Sequence, residues 1–77
     1  MTNERGDEVL FEIVDNHVAV ITLNRPQVRN AINGALAQAL DAAVKRVEAD
    51  GEIRAAVLAS SHDKVFCAGA DLSEIAA

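Results

Sequence analysis

VAVITLNRP, Val18 to Pro26, is the stretch whose reading decides the fold. Its first six residues are rich in β-branched side chains and apolar on both faces apart from Thr22, so they read as a strand. Asn24, Arg25 and Pro26 end that strand, because proline cannot continue a hydrogen-bonded ladder and pushes its predecessor toward extended backbone. A strand without a polar face is expected in a sheet covered on both sides.

On the N-terminal side, VLFEIV from Val9 to Val14 also suits a strand. Asp15, Asn16 and His17 supply turn chemistry between the two, which predicts a hairpin over 9–23. The first eight residues, MTNERGDE, are polar and aperiodic and read as a loose terminus, leaving residues 9–77 as the folded part. On the C-terminal side a loop is expected through Ile32, after which Asn33 is placed to cap a helix. Leu36, Leu40, Ala43, Val44 and Val47 recur at helical spacing, with Gln38, Asp41, Lys45, Arg46 and Glu48 opposite, so the helix is predicted from about Gly34 to Asp50. Gly51 is expected to end it. AAVLAS follows from Ala55 to Ser60, predicting a strand over Ala55–Ala59 parallel to Val18–Leu23. Strand, helix and strand in that order make a βαβ unit with a right-handed crossover, and the fold class is α/β.

FCAGADL, Phe66 to Leu72, therefore begins just past the carboxyl end of a parallel strand, where ligands of open α/β sheets are found. Its side chains thin almost to nothing. Asp71, Leu72, Ser73 and Glu74 fit a capping box with aspartate as the cap, so a helix is expected to begin at Leu72. The Ala70 amide then precedes a helix start, where unpaired N–H groups and the positive end of the helix dipole suit an anion or a developing oxyanion. Gly69 gives the backbone conformational freedom, and Ala68 and Ala70 keep side chains out of the space above. Small residues before a capped helix also occur where a helix merely packs closely on a sheet, and on spacing alone both readings stand.

Composition narrows the function classes. At 77 residues and 51% hydrophobic the chain has material for one small domain with a marginal core. Seven Lys and Arg against twelve Asp and Glu give a net charge of −5, with no basic run and no aromatic ladder, which argues against a nucleic-acid partner. The apolar region from Ala31 to Val47 is broken by polar and charged residues, so no stretch is suited to span a membrane. Cys67 is the sole cysteine, and with no signal peptide in view this points to a reducing, cytoplasmic setting.

ITLNRPQVRNAIN, a helix, IRAAVLAS and FCAGADL follow one another in an order and spacing that resemble the N-terminal part of the crotonase superfamily, the enoyl-CoA hydratases and isomerases. The likeness runs from about Val9 to Glu74 and is specific to the superfamily, though not to one reaction within it. It implies an incomplete ββαβ part of a crotonase-like fold and an acyl-CoA thioester as substrate, with coenzyme A part of that substrate and no separate cofactor or metal. It implies that the Ala70 backbone N–H is one of two oxyanion-hole donors, with Ala68, Gly69, Asp71 and Leu72 beside the substrate. Arg25, Val28, Arg29 and Ala31 would border the coenzyme A moiety, Arg29 meeting a phosphate charge to charge. Hydration of a 2-enoyl-CoA is the reaction so implied. Members normally run well beyond this length, so the second oxyanion donor and the acid/base carboxylates are expected outside these residues, and a trimer or pair of trimers is expected of the whole enzyme. Position 73, a lysine in some hydratases, is Ser73 here.

Plainer roles are expected elsewhere. Asp71 reads as a helix cap, Cys67 as a packing residue, His17 and His62 as surface groups, and Arg25 as a partner in a structural ion pair. Two other functions compete with the enzyme reading: an acyl-CoA-binding fragment without turnover, and an α/β interaction module that keeps only the fold.

Overall fold

The computed structural model describes residues 8–69. The expected loose terminus therefore falls outside the described residues apart from Glu8, as do Ala70, Asp71, Leu72 and the helix expected from Leu72.

Strand β1, Val9–Val14, and strand β2, Val18–Leu23, form an antiparallel hairpin in which Val9 faces Leu23 and Val14 faces Val18. Asp15 and Asn16 both take positive φ, 55° and 68°, and the His17 N–H donates to the Val14 carbonyl at 3.3 Å. That pair of left-handed residues is the signature of a type I′ turn, whose twist matches that of the strands it joins.

Helix α1, Gly34–Ala49, follows a connecting loop, and strand β3, Ala55–Ser60, then lies parallel to β2 with Val18 beside Ala55 and Leu23 beside Ser60. The sheet order is β1-β2-β3. The Asn33 side chain accepts the Leu36 N–H at 2.8 Å, so the expected cap starts the helix. Its end differs from expectation. Gly51 is not in left-handed backbone; instead Asp50 occupies the cap, and its Oδ1 takes the Glu52 N–H at 2.9 Å. The Asp50 backbone N–H donates to the Val47 carbonyl at 3.3 Å, so the helix closes without a left-handed residue while the carboxylate shapes the turn that follows.

α1 packs over β1 and β2, and the core forms where it lands: Leu36 and Ala43 of the helix close on Val9, Ile21 and Leu23. Phe11, Ala39, Leu40, Val47 and Cys67 pack around that cluster. β2 was expected to be covered on both faces. Ala19, Ile21 and Leu23 are buried, whereas Val18, Val20 and Thr22 on the other face are only half-buried, because the single described α-helix covers one side. β3 is the barest strand, with Val57 49% and Leu58 48% exposed although adjacent strand residues point to opposite faces.

Candidate functional site

β2 and β3 end in register, Leu23 beside Ser60, so the loops that leave them emerge together at one end of the parallel pair. The Ser61 N–H donates to the Leu23 carbonyl at 3.0 Å and carries the pairing one step past the strands.

The first loop is tightly wound. Pro26–Val28 form a short 3-10 turn with proline at its start, where the missing N–H has no partner to lose. Arg29 and Asn30 follow in left-handed backbone at φ 56° and 57°. The Arg25 carbonyl accepts the N–H groups of both Val28 and Asn30, at 3.1 and 2.8 Å, which folds the loop back on its own start. Non-glycine residues are uncommon in that region, and such outliers persist only where the surroundings over-determine them.

The second loop, 61–69, lies against the first. The Ala68 N–H donates to the Arg29 carbonyl at 3.0 Å, and the Ile32 N–H donates to the Gly69 carbonyl at 2.8 Å. Between these two bonds the backbone of Gly69 is held at φ +100°. A Cβ built at Gly69 meets no heavy atom of the described residues within 4 Å. Among the described residues it is therefore the conformation, and not close packing, that calls for glycine.

The coenzyme A candidates fall together on the first loop. Val28 and Arg29 are exposed, and Ala31 is half-buried. Arg25 is half-buried, and its guanidinium Nη1 donates to the Ala31 carbonyl, so it braces the loop that carries the others. Ala68 and Gly69 lie on the second loop, Ala68 exposed. Ala70, Asp71 and Leu72 lie outside the described residues. Cys67 packs against the core as expected, its Sγ donating to the Asn30 carbonyl at 3.3 Å and accepting the Gly69 N–H at 3.4 Å. His62 is a correction: its Nδ1 accepts the N–H groups of Lys64 and Val65, each at 3.0 Å, so it organises the second loop from within. His17 also has a local task, since its Nδ1 lies 2.8 Å from the Glu52 carbonyl.

Asn30 is the residue that the sequence reading passed over. It is fully buried and touches both loops and the end of β3 with one side chain. Its Oδ1 accepts the Arg25 N–H at 2.6 Å, while its Nδ2 donates to the Ser60 Oγ at 2.7 Å and to the Phe66 carbonyl at 3.0 Å. The available signal was an asparagine two residues past a proline-initiated turn, a residue type that tolerates left-handed backbone. A separate groove of about 260 Å³ between β1 and α1 is lined by Val9, Phe11, Ala39, Ala42, Ala43 and Arg46, with the Arg46 guanidinium 4.2 Å from the centre of the Phe11 ring. It contains none of the site residues and is a gap between strand and helix side chains.

The ββαβ frame, with two latched loops at the carboxyl end of its parallel pair, is matched in solved structures, and the fold is the N-terminal part of a crotonase fold. An enoyl-CoA hydratase from Mycobacterium tuberculosis H37Rv superposes with a TM-score of 0.83 at 46% identity, over 91% of this chain and 31% of that one. A carnitinyl-CoA dehydratase from Mycobacterium avium 104 superposes with a TM-score of 0.84 at 48% identity, over 90% of this chain and 27% of that one. Residues 14–77 match the family model described as enoyl-CoA hydratase/isomerase, and the chain belongs to that family. A Bacillus subtilis (strain 168) protein, YngF, that carries an enoyl-CoA hydratase/isomerase name is 42% identical over 69 residues, which cover 90% of this chain and 26% of the relative. The chain thus spans about a quarter of the length of the relatives it matches.

Proposed function

We propose that this chain forms the thioester-recognition end of an acyl-CoA enzyme that hydrates a 2-enoyl-CoA. The observation that carries the reading is Gly69, held at φ +100° between two loop-to-loop hydrogen bonds, with no atom of the described residues where a side chain would stand. The N–H groups of Ala68 and Gly69 are already engaged, by the Arg29 carbonyl and the Cys67 sulfur, so the next amide in the run, that of Ala70, is the one assigned to the thioester oxygen.

A hydrogen bond aimed at that oxygen stabilises the charge that develops there as a nucleophile adds to the conjugated double bond or as the alpha carbon loses a proton. Ala68, Asp71 and Leu72 border the acyl group in this reading. Val28, Arg29 and Ala31 face the coenzyme A moiety, Arg29 pairing with a phosphate, while Arg25 holds the loop in shape. Coenzyme A arrives as part of the substrate. The second oxyanion donor and the acid/base carboxylates come from the parts of the relatives that this chain does not span, in an assembly of three or six subunits in the cytoplasm.

The two structural neighbours bear hydratase and dehydratase names, addition and removal of water at an acyl-CoA, and this supports hydration over other reactions. The test is the loss of conjugated enoyl-thioester absorbance when a short 2-enoyl-CoA is added to the enzyme that contains these residues. Turnover is expected. Coenzyme A thioester binding without turnover favours the non-catalytic binder, and absence of binding favours the interaction module.

A further inference from the structure

The geometry points to Asn30 as a positioning residue that couples the coenzyme A loop to the oxyanion loop, an inference that rests on the function proposed above. Asn30 is fully buried, so it acts on bound substrate through the groups it holds. Both hydrogens of its amide are spent, one on Ser60 Oγ at the end of β3 and one on the Phe66 carbonyl at the start of the thinned run. Its oxygen fixes the Arg25 N–H at the start of the first loop. Its own carbonyl accepts from Cys67, and its neighbour Arg29 accepts the Ala68 N–H. Gly69 is therefore carried by a run tied to the first loop on both sides: at Phe66 through the Asn30 side chain, and at its own carbonyl by the Ile32 N–H.

The residue type follows from these demands. The site needs one acceptor and two donors on a short side chain, at a position with φ 57°. Asparagine meets both, since it is among the few side chains that visit left-handed backbone readily. Aspartate keeps the shape and the acceptor but loses the donors, and would set a carboxylate oxygen against the Phe66 carbonyl. Glycine keeps the backbone and loses every side-chain bond.

The consequence is kinetic. An oxyanion donor acts only if it is aimed before the charge develops, and a shift of about 1 Å at such a donor costs about a hundredfold in rate. Coenzyme A recognition on the exposed first loop tolerates the same shift better. Loss of the Asn30 tethers therefore lowers kcat far more than it raises KM.

Asn30→Gly and Asn30→Asp in the enzyme that contains these residues test this, with Ser60→Ala as a milder variant that keeps Asn30 and removes one of its tethers, together with the Ser60 hydroxyl's bonds to the Val65 carbonyl and the His62 N–H. The readouts are kcat per folded molecule, KM, and the carbonyl stretch of a bound enoyl thioester, which reports polarisation of the oxygen directly. The expected result is a fall in kcat of about a hundredfold in both Asn30 variants, KM within about threefold, and a carbonyl stretch moved back toward its free-solution value. Ser60→Ala is expected to move kcat and the stretch the same way by less, and it decides the matter if the Asn30 variants do not fold. Unchanged kcat and carbonyl stretch in folded variants overturn the positioning role while leaving the proposed function intact. An unsubstituted enzyme that neither binds nor hydrates an enoyl-CoA overturns the proposed function, and the inference with it.

Discussion

Arg29 and Asn30 stand side by side in left-handed backbone, yet they are held for different reasons. Asn30 is buried and fully engaged, whereas the Arg29 side chain is exposed and engages none of the described residues. An arginine in that conformation costs about 1–2 kcal/mol relative to ordinary backbone, strain of the kind that collects at functional sites. Arg29→Gly removes the strain but adds flexibility to the unfolded chain, worth about 0.5–1 kcal/mol in the opposite direction. Melting is thus expected to be unchanged or slightly raised, while coenzyme A affinity falls about tenfold through loss of one charge-assisted bond. A large loss of stability with unaltered affinity, measured by thermal melt and calorimetry, would show that Arg29 serves the loop instead of the ligand.

α1 shows which elements a sequence declares. Its start and its apolar stripe were legible, because Asn33 caps and Leu36 and Ala43 recur on one face, whereas the one-sided burial of β2 was not, because its half-buried face is as apolar as its buried one apart from Thr22. Its stability is expected to divide unevenly: Leu36→Ala costs about 2–5 kcal/mol, because the side chain is fully enclosed among Val9, Ile21 and Leu23, while Asn33→Ala costs about 1 kcal/mol. Denaturant melts of the two variants with equal losses would contradict that division. The loops were legible only in part. The thinned FCAGADL run and the RPQVR turn could be found because glycine and proline act locally. Asn30 could not, because its role is set by partners elsewhere: it bonds across 30 and 36 positions of sequence. His62 and Asp50 bond backbone only two or three residues on, but neither residue type is confined to that role. A buried amide that ties three segments has the same one-letter signature as an asparagine in any turn.

At the scale of the whole molecule, the described residues leave β3 uncovered on both faces, with Val57 and Leu58 about half exposed in a strand at the sheet edge. Apolar edge strands of this kind recruit further strands. The 77-residue polypeptide by itself is expected to associate in light scattering, and Leu58→Lys is expected to reduce that association; a monodisperse 8.1 kDa monomer with a sharp melt would contradict it. The enzyme reading turns on one amide. Ala70→Pro deletes the proposed oxyanion donor and presses Gly69 away from its left-handed backbone, whereas Ala70→Ser leaves the N–H in place. Turnover of a short 2-enoyl-CoA by the enzyme that contains these residues, with circular dichroism and coenzyme A binding as controls for fold, is the most direct test. The account predicts that the proline variant binds coenzyme A but loses about 100- to 1,000-fold in kcat, while the serine variant stays within about tenfold of the parent. Near-normal turnover by a folded Ala70→Pro enzyme would contradict it.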